Sequence, residues 1–285
     1  MSNSQHALVV EGGAMRGIFA AGVLDEFLAQ QYQPFTSYFG VSAGATNVAA
    51  YLCKQATRNY KVITDYSCRP EFINLSRFVK GGHLFDLDWL WQETIREIPL
   101  NKDEFSQSPH DFYIVATAIE SGQAHYLQAT GSEMVEQLKA SCAIPFAYRD
   151  YPTINGIAMT DGGVADPIPV KKAYEMGASE ITVILSQSLG YRKKDYKVPW
   201  LTKRLYKDNP ALAQATIQRS KNYNASIDFL YNPPSDCKIN IIAPPAEFKV
   251  GRTTKNLAIL NSGYKMGISK AKTYLDNSRF AKERP

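Results

Sequence analysis

Residues 40–44 read Gly40-Val41-Ser42-Ala43-Gly44, between an apolar, aromatic stretch at 35–39 and an alanine-rich run at 43–54 with helical character. A serine between small residues at such a place sits on a tight strand-to-helix turn, where the backbone bends sharply and a reactant can reach the hydroxyl. That demand limits the fold, because a strand must lead in and a helix must lead out. The same order occurs just upstream. Residues 7–10 read as a short buried strand, Gly12-Gly13-Ala14-Met15-Arg16-Gly17 as a turn, and 18–31 as a helix with Phe19, Val23 and Phe27 on one stripe and Ala20, Leu24 and Leu28 beside it. Pro34 breaks that helix, and the second strand follows at 35–39. Two strand–turn–helix units in succession imply a parallel sheet covered by helices, an α/β fold.

Downstream, residues 60–108 are less regular and are punctuated by Gly81-Gly82 and Pro99. A strong strand is expected at 112–119, paired as a hairpin with 124–127 through Ser121-Gly122, then a short helix at 132–141. A strand at 154–159 delivers the chain to Asp161-Gly162-Gly163. A helix at 168–176 ends at Gly177, and a strand follows at 181–185. Residues 191–207 read as a polar, basic linker; 209–230 as a long helix, 239–242 as a last strand and 255–275 as a C-terminal helix.

The chain has 285 residues, 45% of them hydrophobic, enough for one large globular domain or a domain with an inserted subdomain. A net charge of +5 is too small a bias to imply a nucleic-acid partner. Cys53, Cys68, Cys142 and Cys237 form no C-x-x-C pair and do not cluster with histidine, which argues for reduced, mostly buried thiols and against a zinc site. Neither a basic-then-apolar leader nor an apolar run of transmembrane length is visible, so a cytoplasmic protein is expected.

A serine hydroxyl needs a base to become a nucleophile at neutral pH. The α/β-hydrolase order of serine, acid, histidine is impossible with Asp161 as the acid, because His6, His83, His110 and His125 all precede it. Asp161 is itself the better candidate for the base. It follows a strand, as Ser42 does, and in a parallel sheet the strand C-termini share one edge, so the two side chains are expected to meet there. A carboxylate is weakly basic, but desolvation and direct contact with Oγ compensate. As a plain motif, Asp-Gly-Gly is also an ordinary turn. The turn at 12–17 supplies a third part. Acyl transfer builds negative charge on a carbonyl oxygen, and backbone N–H groups of Gly12, Gly13 and Ala14 ahead of a helix are suited to receive it, with Arg16 adding positive charge and Gly17 closing the turn. A dinucleotide loop would need a middle glycine where Ala14 stands.

These three motifs, in this order, resemble the patatin-like phospholipase family: a glycine-rich oxyanion loop with a Lys or Arg, then G-x-S-x-G, then D-G-A or D-G-G. The segment Ser141-Cys142-Ala143-Ile144-Pro145-Phe146 is similar to the family block between the serine and aspartate motifs. The resemblance implies a three-layer α/β/α sandwich with a mainly parallel central sheet, a catalytic core over 7–186, and a C-terminal extension over 187–285 packed on the same domain. It also implies Ser42 as nucleophile, Asp161 as general base, no metal or other cofactor, and lipid acyl hydrolysis serving lipid catabolism. An acyltransferase on the same dyad and a non-catalytic lipid- or anion-binding protein are the alternatives. The family usually has glycine where Ala14 stands. Alanine keeps the N–H donor but not free use of positive φ, so the loop is expected to be shaped differently.

Two further signals stay open. The stretch Leu84-Phe85-Asp86-Leu87-Asp88-Trp89-Leu90-Trp91 suits core, or else an acyl-chain pocket or a membrane surface. Arg192, Lys193, Lys194, Lys197, Lys203, Arg204 and Lys207 suit a solvated linker and helix face, or else peripheral contact with an anionic membrane.

Overall fold

The computed structural model describes residues 5–282. One sheet of eight strands runs through it: β1 (Gln5–Val10), β2 (Ser37–Val41), β3 (Asp111–Ala118), β4 (Ala124–Gln128), β5 (Thr153–Ile154), β6 (Ile157–Asp161), β7 (Ala178–Ile184) and β8 (Lys238–Ile242). Parallel pairing joins β8, β7, β1, β2 and β3 in that order. The far side is antiparallel, with β4 and β6 both on β3 and β5 on β6.

Helices cover both faces. They are α1 (Gly17–Ala29), α2 (Ala43–Leu52), α3 (Arg58–Lys61), α4 (Leu75–Val79), α5 (Leu87–Glu97), α6 (Lys102–Ser106), α7 (Met134–Cys142), α8 (Val170–Glu175), α9 (Pro199–Leu205), α10 (Pro210–Tyr231) and α11 (Leu257–Lys282). The strand period of two decides which residue meets which layer. Leu8 and Val10 of β1 join Phe19, Val23 and Phe27 of α1 and Val48 of α2 in one core. Ala7 and Val9 point the other way, into a core with Val170 of α8 and Tyr223, Ile227 and Leu230 of α10. The result is a three-layer α/β/α sandwich whose sheet is mixed, with a parallel majority.

Helix α1 is apolar on most of its circumference because it is covered twice, by the sheet and by α11. The two helices touch backbone to backbone. A Cβ on Gly22 would lie 2.2 Å from the Tyr264 carbonyl oxygen, and one on Gly267 would lie 2.2 Å from that of Phe19. A methyl group at either position would force the helices apart.

Several local expectations need correction. Strand β2 begins at Ser37, two residues later than the aromatic run, because its ladder to β1 starts at Ala7↔Ser37. Phe35 stays buried ahead of it, ring against ring with Phe27, Tyr32 and Tyr38. The segment 60–108 is helical in short pieces, including α5, whose Asp86 side chain caps the Trp89 amide. The single strand expected at 154–159 is a hairpin. Asn155 (φ 50°) and Gly156 (φ 79°) form its turn, as an Asn-Gly pair readily does. The basic linker contains the helix α9, which opens on Pro199.

Candidate active site

Ser42 lies between β2 and α2 with φ 52° and ψ −125°, a conformation that side chains other than glycine's rarely adopt. Its neighbours make this tolerable by being absent. A Cβ on Gly44 would stand 2.3 Å from the Val10 carbonyl oxygen, and one on Gly40 would stand 2.5 Å from the Ala45 Cα. The two glycines therefore let α2 start directly against β1 and β2, and the strained φ belongs to the serine itself. The Ser42 amide is spoken for: it donates to Ser141 Oγ at 2.8 Å, and that hydroxyl donates in turn to the Val115 carbonyl at 2.6 Å. Ser141 thus ties the turn to the middle of the sheet.

Asp161 reaches the same place by a route that differs from the expected one. It ends β6, which runs antiparallel to β3, so no shared C-terminal edge of a parallel sheet brings it there. The register supplies the actual reason. Strand β2 pairs with β3 at 111–115, and β6 pairs with β3 at 116–118, while β4 pairs with β3 at 113–117. Since β4 overlaps both, it occupies one edge of β3, and β2 and β6 share the other. They approach end to end. Val41 stands opposite Val115 and Asp161 opposite the next residue, Ala116. Ser42 is therefore one residue past the end of one strand, facing the end of the other.

The turn after β6 is tight. Asp161 Oδ1 accepts from the Gly163 amide at 2.8 Å, and a Cβ on Gly163 would press on that same oxygen at 2.9 Å. Gly162 lies against β3, where a Cβ would stand 2.1 Å from the Val115 carbonyl oxygen. Helix α10 clamps the turn from outside: Arg219 Nε donates to the Gly163 carbonyl at 2.6 Å, and Asn222 donates to that of Ala165 at 2.9 Å. Burial lowers the proton affinity of the Arg219 guanidinium, and the charge of Asp161 opposes that shift. The Cys142 thiol is pushed up to about 12, first by desolvation and then by Asp161, while its hydrogen bond with Ser42 works the other way. One sulfur thus feels both Ser42 and Asp161.

The loop at 12–17 lies over the serine. A Cβ on Gly12 would meet the Val41 carbonyl oxygen at 2.7 Å. The Gly12 and Gly13 amides donate to no protein group among the described residues. Ala14 takes φ 50°, the left-handed region in spite of its Cβ, so the loop keeps a glycine-like shape at a cost of about 1–2 kcal/mol. Arg16 points elsewhere. Its guanidinium donates to Ser186 Oγ at 3.1 Å, and its Nε is buried without a partner. Glu11, 3% exposed, accepts from the Ser186 amide at 2.7 Å, and burial pushes its carboxyl up. Gly17 brings the start of α1 against α2, where a Cβ would stand 2.9 Å from that of Ala43.

Two cavities meet at Ser42, and Ala14, Phe85, Ile144 and Arg252 line both as well. The first is mainly apolar, holds about 810 Å³ of empty space with its mouth included, and is walled by Met15, Ile63, Phe72, Leu87, Leu90 and Trp91. The aromatic stretch at 84–91 is therefore core and cavity wall together. The second, about 770 Å³ on the same basis, is the more polar of the two and carries Glu11, Asp161, Lys193, Arg219 and Arg252. No histidine lines either cavity among the described residues. His83 sits apart, with ligand atoms of Asp88 and Asp150 within 4.8 Å, in a cluster already engaged by Lys139 and Tyr148.

The family profile described as patatin-like phospholipase matches residues 8–174, well over half of the chain. The chain belongs to the patatin-like phospholipase family. Membership makes lipid acyl hydrolysis its general class of activity and lipids its class of substrate. A second profile, a domain of unknown function (DUF6363), matches residues 209–279, from the start of α10 into α11. An uncharacterized protein of Escherichia coli strain K12, YjjU, is 36% identical over 269 residues, covering 92% of this chain and 74% of its own. Among solved structures, VipD from Legionella pneumophila superposes with a TM-score of 0.53 at 11% identity, over 96% of this chain and 67% of that one. At that identity the likeness speaks for the patatin fold alone.

In this patatin-like site, sequence reasoning missed Ser141 as the tie beneath Ser42, and Arg219 and Arg252 in the more polar cavity; Lys193, expected on a solvated or membrane-facing basic linker, lines that cavity instead. Ser141 opens a block whose resemblance to the family was visible, so that signal was available. Arg219 stands mid-helix and Arg252 in a loop, with no local pattern to mark them. Among the described residues no helix is long and apolar enough to cross a membrane.

Proposed function

We propose that this patatin-like protein is a serine lipid acyl hydrolase of the phospholipase A or esterase type, working through a Ser42–Asp161 dyad. The observation that carries this reading is the end-to-end approach of β2 and β6 on β3, which puts Ser42 and Asp161 in one cavity wall beside an apolar chamber. Asp161 takes the proton from Ser42 Oγ as Oγ bonds to the ester carbonyl carbon. Free amides of the loop at Gly12, Gly13 and Ala14 receive the developing oxyanion. The carbon–oxygen bond to the leaving alcohol then breaks, and the proton on Asp161 goes to that alcohol. Water attacks the acyl-enzyme, Asp161 removes its proton, and that proton returns to Ser42 Oγ as the fatty acid leaves. The apolar walls of the first cavity, Phe72, Leu87, Leu90 and Trp91 among them, suit an acyl chain.

Labelling by a fluorophosphonate probe, together with hydrolysis of a lipid panel, tests the reading. Labelling and turnover should both vanish in Ser42→Ala. Full esterase activity in that variant would refute the mechanism, and an intact protein that never labels would favour a binding protein on the same scaffold.

The same reading includes peripheral contact with anionic membrane. Helix α9 exposes Trp200 (66%) and Leu205 (56%) next to Lys203 and Arg204, a mixture suited to the headgroup boundary. Tyr206, just after α9, packs on Phe146 at 4.4 Å between ring centroids, two residues from the cavity-lining Ile144. Flotation with vesicles rich in phosphatidylserine should carry the protein at low salt and fail in Trp200→Ala/Leu205→Ala. All four cysteines are free thiols, which fits a reducing, cytoplasmic setting.

A further inference from the structure

Three cations reach the polar cavity from three separate parts of the chain. Lys193 follows β7, Arg219 lies in α10, and Arg252 precedes α11. All three lie beyond residue 174, where the match to the patatin-like profile ends. Arg252 is placed there by its own backbone, whose carbonyl accepts from the Met15 amide in the glycine loop at 3.4 Å. The Lys193 amide is held by the Asn224 side chain at 2.9 Å, and its ammonium sits 4.2 Å over the Tyr223 ring. Arg219 is anchored through Nε, which leaves its terminal nitrogens free of protein acceptors among the described residues.

The charges around this space do not balance. Arg16 stands close behind the wall, so four basic side chains face two carboxylates, those of Glu11 and Asp161. None of the four cations makes an ion pair among the described residues. Glu11 is bound to the Ser186 amide, and burial weakens its hold on negative charge. Burial pushes the Lys193 amine down to about 6, Arg219, Arg252 and Arg16 push the same way and Glu11 opposes them, so a bound anion would restore its charge. A cavity that gathers like charges this closely is stabilised by an added anion.

We propose that Lys193, Arg219 and Arg252 form an anion subsite that takes the phosphate of a lipid whose ester carbonyl lies at Ser42 and whose acyl chain fills the apolar cavity. This rests on the hydrolase reading above and adds to it that the C-terminal segment selects the headgroup side. Two guanidinium groups and an ammonium suit the several oxygens of a phosphate better than a neutral glycerol. Lys193 and Arg219 line the cavity that holds Asp161, the side from which the leaving alcohol receives its proton, and Arg252 stands where the two cavities meet. The phosphate therefore belongs to the leaving half of the ester.

The test compares an acylglycerol phosphate with the acylglycerol of the same chain, in wild type, Lys193→Met, Arg252→Gln and the double variant. The ratio of kcat/KM for the phosphate-bearing over the neutral lipid should fall about tenfold per cation removed, equivalent to about 1.4 kcal/mol each. Arg252 is exposed and Arg252→Lys should recover part of the ratio. A second arm titrates glycerol phosphate and inorganic phosphate into Ser42→Ala protein by calorimetry, with and without the two cation substitutions. Turnover of both lipids with an unchanged ratio and no phosphate binding would overturn the subsite and leave the hydrolase standing. Absence of all turnover, with phosphate binding lost in the double variant, would sink the hydrolase and leave the anion site. Inorganic phosphate binding lost without any change in the lipid ratio would refute the headgroup assignment and make free phosphate the ligand.

Discussion

Replacing Ser42 by glycine should make the protein more stable than replacing it by alanine, although both substitutions remove the proposed nucleophile. Both remove Oγ, so the pair differs only in the Cβ and in what the backbone tolerates. At φ 52° and ψ −125°, a side-chain-bearing residue carries strain on the order of 1–3 kcal/mol, and glycine carries almost none. Against that relief stands the freedom glycine adds to the unfolded chain, about 0.4–1 kcal/mol. Little packing is lost with the Cβ, because Ser42 borders two cavities. The balance favours Ser42→Gly over Ser42→Ala by about 1 kcal/mol, or about 2–4 °C in melting temperature for a chain of this size. Urea denaturation with matched m-values, supported by calorimetry, measures the difference directly. If Ser42→Ala proved equal or superior in stability, the claim that the turn at Ser42 stores backbone strain would fail.

Asp161→Asn should keep the turn, because an amide oxygen still accepts from Gly163, but should reduce ester turnover about 10²–10⁴-fold; wild-type rates in this variant would remove Asp161 from the mechanism. Gly44→Ala forces a methyl group against two main-chain carbonyls, at 2.3 Å from Val10 and 2.8 Å from Glu11, so its urea midpoint should drop by the equivalent of about 1–3 kcal/mol. An unchanged midpoint would mean that α2 is not packed as closely as described. The Cys142 thiol, held up to about 12, should resist iodoacetamide at pH 8 in the native protein and react once unfolded, as read by peptide mass mapping. Rapid native labelling would show a thiolate that desolvation and the charge of Asp161 do not permit.

Local sequence was sufficient for the tight strand-to-helix turn at Ser42. Gly40 and Gly44 are small because two strands and a helix converge there, and that constraint acts within a few residues, where spacing can express it. The two strand–turn–helix units at the N-terminus, the parallel majority of the sheet and the apolar face of α1 were legible for the same reason, since period and punctuation are local. The placement of Asp161 was not. Its motif was visible, but its meeting with Ser42 depends on β6 running antiparallel along the edge of β3 that β2 vacates, and strand direction and register are settled by pairing between distant segments. The Asn155-Gly156 turn could have signalled that hairpin, whereas nothing local could have signalled its register. The cations at Lys193, Arg219 and Arg252 lie still further from what sequence can show. They occupy a loop, a helix and another loop, and only the closure of the C-terminal segment over the sheet brings their charges into one cavity. Sequence alone supplied the residue types and local turns on which the proposed chemistry rests, because those are set by identity and local backbone; tertiary structure alone decided which of them meet and with what charge around them, because that depends on contacts the chain makes only when folded.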